Sequence, residues 1–123
     1  MRYGAHAYGA IAKQIASPRD LEADLLLKAA ARLQAVCDAW DAGKSNLDDA
    51  LLYNRKLWAI FLSSVTSNEN PLPVEIRQNV ANLGLFVINQ TQTIMQERKP
   101  ERLRSLININ REIATGLRGQ PDS

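Results

Sequence analysis

One cysteine, one histidine and an aromatic share of 6% remove several function classes at the outset. Cys37 has no second thiol in the chain, so neither an intramolecular disulfide nor a thiolate metal cluster can form, and a reducing, cytoplasmic setting is expected. His6 stands alone in a weakly structured stretch, which leaves a Ser/His or Cys/His pair without a base and points away from an enzyme. The glycines are scattered at Gly4, Gly9, Gly43, Gly84, Gly116 and Gly119, so there is no phosphate-cradling loop and no cofactor is implied. No apolar run approaches the roughly 20 residues that span a bilayer, and Met-Arg-Tyr-Gly-Ala-His lacks the apolar core of a signal peptide. No membrane insertion is expected. Charge of one sign is scarce too: 15 basic and 13 acidic side chains leave a formal +2, which gives nucleic-acid binding no general support.

What the chain does have is helical periodicity. With 46% hydrophobic content over 123 residues it can bury the core of one domain. Along Ala50 to Phe61 and its flanks, Leu47, Leu51, Asn54, Trp58, Phe61, Leu62 and Val65 recur at the spacing of one helical face, while Leu52, Tyr53, Leu57 and Ile60 project elsewhere. Such a helix lies mid-bundle or keeps a second face for a partner. Ser17-Pro18-Arg19-Asp20 is a helix-start signal, and the helix it opens should run to about Ala42 with Leu25, Leu26, Ala29, Leu33, Val36, Cys37 and Trp40 on its apolar face. Gly43 ends it, and Ser45-Asn46-Leu47-Asp48 caps the central helix, which should reach about Ser67. Asn68 to Pro73 is a strong break. A helix from near Pro73 follows, with the stripe Ile76, Val80, Leu83, Val87, Thr91, Ile94 and an apolar excess around Leu83 to Ile88. After Lys99-Pro100, a last helix carries Leu103, Leu106, Ile107, Asn110, Ile113, Ala114 and Leu117. The expected fold is all-α: a small bundle of four principal helices over 17–119, an arm or short helix over 1–16, and a disordered tail over 120–123.

Asn54 and Asn110 fall in the middle of apolar stripes, each followed by an arginine. A buried amide without partners costs about 1–3 kcal/mol, so both should hydrogen-bond across the bundle or to loop backbone. One reading makes them register-setting core polarity; the other puts them in a groove, bonded to a bound peptide. Trp58 reads as core before anchor, whereas Phe86, with Tyr53, Leu57 and Ile60, divides evenly between core and interface. Leu57, Ile60, Leu83 and Phe86 are the expected floor of an apolar groove, with Arg55, Arg77 and Arg111 at its rim to hold carboxylates. Gly84 inside a helix implies close helix approach or room for a ligand. Asp38, Asp41, Asp48 and Asp49 lack the partner spacing of a metal site and read as surface and helix-start charges. The last helix is locally basic, with Arg98, Lys99, Arg102, Arg104, Arg111 and Arg118; a solvated face explains this, with an RNA-contacting strip as the alternative.

Four ordered motifs carry a resemblance. They are Ala50-Leu51-x-x-Asn54-Arg55-x-Leu57-Trp58-x-Ile60-Phe61, Leu72-Pro73-x-x-Ile76-Arg77, Asn82-Leu83-Gly84-x-Phe86-Val87, and Ile107-x-Ile109-Asn110-Arg111-x-Ile113-Ala114-x-Gly116-Leu117. The pattern resembles the flagellar biosynthesis regulator family FlaF of α-proteobacteria, from about Tyr8 to Leu117, with Asn108 standing where the pattern suggests an acidic residue. The resemblance implies a cytoplasmic helical protein that binds monomeric flagellin as a secretion chaperone, acts as a post-transcriptional regulator and has FlbT as functional companion. Against this stand two other readings: an RNA-binding translational regulator working through the basic last helix, and a homodimer formed through the surplus apolar faces.

Overall fold

The computed structural model describes residues 18–43 and 46–119. They form four long helices, α1 (Pro18–Asp38), α3 (Leu47–Val65), α4 (Val74–Gln96) and α5 (Pro100–Arg118), with one short turn of helix, α2 (Trp40–Gly43). The described residues contain no strand, and the fold is the all-α bundle expected. The arm over 1–16, the caps at Ser17 and Ser45, and the tail over 120–123 lie outside the described residues.

Local chemistry accounts for most of the boundaries. Pro18 opens α1 with its φ already near the helical value, and Asp20 supplies a carboxylate to the positive end. The helix stops at Asp38, earlier than expected: Ala39 closes the turn through its N–H to the Ala35 carbonyl at 3.1 Å, and Trp40 starts α2 with its ring packed against the core. Asn46 occupies the cap position of α3 but makes no side-chain bond there. The carboxylates of Asp48 and Asp49 in the first turn offset the helix dipole instead.

The break between α3 and α4 is built by two side chains. Asn70 Nδ2 donates to the Ser64 carbonyl at 3.2 Å and to Ser64 Oγ at 2.9 Å, while its Oδ1 accepts from Leu72 N–H at 2.9 Å. Arg77 reaches back from α4 and donates to the carbonyl of Ser67 at 3.0 Å, which also accepts from Asn70 N–H at 3.2 Å, and to that of Val65, at the end of α3, at 3.5 Å.

Packing divides the bundle into two close pairs, α1 with α5 and α3 with α4, joined mainly where α1 meets α3; α4 and α5 touch each other little. Small residues bring the partners together. On α1 the buried face is Ala23, Leu26, Ala29, Ala30, Leu33 and Val36, opposite an α5 face that includes Ala114. This corrects the expected apolar face: Leu25 lies outside it, 43% exposed, and Ala23 and Ala30 take inner positions, where their size lets α5 approach. On α4, Gly84 does the same for α3, since a Cβ placed there would sit 2.7 Å from Leu62 Cγ. The stripe of α3 is buried as expected, apart from a half-buried Leu62, and Trp58 meets Phe61 edge-on at 5.8 Å between ring centroids.

Candidate functional site

At the centre of the bundle three side chains and one carbonyl form a chain of hydrogen bonds. Trp58 Nε1–H donates to Asn110 Oδ1 at 2.8 Å; Asn110 Nδ2 donates to Asn54 Oδ1 at 2.7 Å and to the Leu26 carbonyl at 3.3 Å. The indole sets the direction of all of them. An indole nitrogen can only donate, so Asn110 must present its oxygen to Trp58 and its amide nitrogen to Asn54, which must then present oxygen in turn. Asn54 Nδ2 is left buried with no partner among the described residues. Asn54, Trp58 and Asn110 are all completely buried. The two asparagines therefore bond across the bundle, from α3 to α5 and on to α1, and Trp58 is core.

The remaining candidates spread over two separate surfaces. Arg32 of α1 stacks on Tyr53 of α3, its guanidinium carbon 4.4 Å from the ring centroid, so the Tyr53 side of α3 faces α1. Leu57 and Ile60 lie one and two turns further along that side. Leu57 is buried, a correction to its expected outward projection, and Ile60 is 65% exposed. Helix α4 sits on the opposite flank of α3, where Leu62 meets Gly84 and Asp48 Oδ1 accepts from Arg98 Nη2 at 2.9 Å. Leu57 and Ile60 are thus not brought together with Leu83 and Phe86 in one groove. Residues 60 and 62 differ by 200° around the helix, and α4 has taken the far side.

Leu83 and Phe86 belong to a different seam. On α4, Gly84 and Arg77 turn toward α3, which leaves the flank with half-buried Leu83 and Ile76 and the 45%-exposed Phe86 turned the other way. On α5, Arg111 and Arg118 reach α1, through Gln34 at 3.5 Å and Asp24 respectively, so the opposite flank carries Ile109 and Ile113. Helices α4 and α5 themselves approach each other closely at few places. Ile109 and Ile113 were not among the residues singled out from the sequence for this surface, although Ile113 lay in the stripe and both lay in the last motif.

The rim arginines separate as well. Arg77 is committed to the carbonyls at the end of α3, Arg111 is exposed beside Gln34, and Arg55 is exposed with no ion pair among the described residues. Of the basic residues of the last helix region, Arg98 pairs with Asp48, Arg102 with Glu97 and Arg118 with Asp24. Arg104, Arg111 and Arg118 share a face at seven-residue spacing that lies along α1, whereas Arg102 projects about 200° away from Arg104. Cys37, half-buried, donates from Sγ to the Pro100 carbonyl at 3.3 Å, and burial pushes its thiol pKa up, so it remains a protonated packing group.

The model of the family described as flagellar protein FlaF matches residues 4–117, nearly the whole chain. The chain belongs to the FlaF family. It matches no curated protein and no solved structure. All four motifs fall inside the matched span, and they join residues of unlike fate: Asn54, Trp58 and Asn110 in the closed core, half-buried Leu83 and exposed Phe86 on α4. Among the described residues no helix is long and apolar enough to cross a membrane. This flagellar family protein is a helical bundle with a polar hydrogen-bonded chain at its centre and Phe86 exposed on α4.

Proposed function

We propose that this chain binds monomeric flagellin along the α4/α5 seam and so supports flagellin synthesis and export, as a chaperone acting in the cytoplasm. The observation that carries the reading is Phe86, a large aromatic left 45% exposed near half-buried Leu83 on α4, a helix that approaches α5 at few places. An amphipathic helix laid into that seam would cover Leu83, Phe86, Ile109 and Ile113 together, the apolar-face-in-groove mode of recognition. Membership of a flagellar family supplies the context, and flagellin is the client that the resemblance implies.

The arginines favour a protein client over flagellin message. Arg102 lies on a different face from Arg104 and Arg111, and three of the basic side chains are already paired with acids. Titration calorimetry with purified monomeric flagellin at two salt concentrations separates the two. Apolar docking gives saturable heat with little salt dependence and a negative heat-capacity change, and Phe86→Ala weakens it at least tenfold with the fold intact. Affinity for the message that falls steeply with salt, together with no heat from flagellin, would replace this reading with direct RNA binding.

A further inference from the structure

From Gln78 to Gln96, about five turns of α4, there is not one charged side chain, in a protein whose residues are 23% charged overall. The stretch is not hidden in the core. Gln78, Asn82, Leu85, Asn89, Gln92 and Gln96 recur at alternating steps of four and three, the spacing of a single helical stripe, and every one of them is exposed, Leu85 to 58%. Helix α3 covers the other side, where Gly84 meets Leu62. A helix face left to water carries charges as a rule, whereas loss of charge is the compositional mark of the centre of a protein interface. Two charges bound the stripe: Glu75 in the first turn of α4 and Lys99 just beyond its last, both exposed and neither in an ion pair among the described residues.

We infer that this face pairs with the same face of a second copy, the two α4 helices running antiparallel. Like matches like here. Each Asn and Gln amide both donates and accepts, so an identical stripe answers it in kind, which a charged surface could not do without leaving its charge unpaired. The bounding charges choose the direction. In a parallel pair Glu75 would meet Glu75 of the second copy, and Lys99 would meet Lys99. In an antiparallel pair Glu75 of each copy lies against Lys99 of the other, and the same register sets Gln78 against Gln96, Asn82 against Gln92 and Leu85 against Asn89. A helix face about 34 Å long buries on the order of 600 Å² per partner, the low end for a specific association, so the pairing is weak and reversible. Leu83 and Phe86 lie outside the stripe, and the variants that test it leave them untouched, so loss of pairing and loss of flagellin binding are read separately.

Sedimentation velocity of the full chain over roughly 1 to 500 µM tests it. The average mass should rise from one chain toward two and no further. Leu85→Asp should raise the dissociation constant roughly tenfold or more with an unchanged circular-dichroism spectrum, since the side chain stands outside the core. Glu75→Lys and Lys99→Glu should each weaken the pairing about fivefold, and both in one chain should restore it, an outcome that a change in stability alone does not produce. The charge reversals carry the test if Leu85→Asp fails to fold. A single mass at every concentration, or one that climbs past two chains, would overturn the inference. So would a dimer indifferent to Leu85→Asp, which forms elsewhere, or charge reversals without effect, which rule out the antiparallel pair.

Discussion

Asn110 serves three partners with two polar atoms, whereas Asn54 serves one and carries a buried amide nitrogen that has no partner among the described residues. The two should therefore differ in how much they matter. Asn110→Ala strands the Trp58 N–H and the Asn54 oxygen and opens a small cavity; at about 1–3 kcal/mol for each orphaned group, it should lower stability by about 3 kcal/mol or more. Asn54→Ala removes one bond together with the orphaned donor, and Asn110 keeps the Leu26 carbonyl, so the loss should be about 1–2 kcal/mol. Urea unfolding followed by far-ultraviolet circular dichroism measures both; equal losses would contradict the directed chain. The sequence shows that these amides need partners. It does not show which, because the bonds join residues 52 to 84 positions apart, and only the packing of α1 on α5 brings the Leu26 carbonyl within reach.

Glycine gives the sharpest contrast at the scale of the element. Gly84 and Gly116 both lie inside helices, where alanine is intrinsically favoured by about 1 kcal/mol. A Cβ at Gly116 meets nothing within 4 Å, while one at Gly84 would lie 2.7–2.8 Å from the branch of Leu62. Gly116→Ala should therefore stabilise the protein by about 0.5–1 kcal/mol. Gly84→Ala should destabilise it by about 1–2 kcal/mol, because the overpacking cost of about 1–3 kcal/mol outweighs the helical gain. Paired thermal melts decide this, and a stabilised Gly84→Ala would mean that α3 and α4 do not approach so closely. Helix identity was legible because a 3.6-residue period and proline breaks are local signals. Which flank of an over-hydrophobic helix meets which neighbour was not. Leu57 and Ile60 are both aliphatic and three residues apart, yet one is buried and the other is open. That outcome depends on α1 and α4 taking opposite sides of α3, and nothing within α3 itself encodes it.

At the scale of the whole molecule the bundle is two tight helix pairs with unequal seams. Between α1 and α5, alanines and charge pairs such as Arg118 with Asp24 close the surface. Between α4 and α5, Arg102 pairs with Glu97 at the C-cap of α4, while along the two helices half-buried Leu83, Ile109 and Ile113 and exposed Phe86 remain partly open. A client that is itself an amphipathic helix would complete the seam as a missing element of the bundle. The central claim is the location of that client. Amide hydrogen exchange of this chain, with and without saturating monomeric flagellin, tests it most directly. The account predicts added protection over the flanks of α4 and α5 around residues 83–90 and 106–113, with the α1/α3 side unchanged. Protection confined to the arginine face along α1, or to the surface around Ile60, would contradict it.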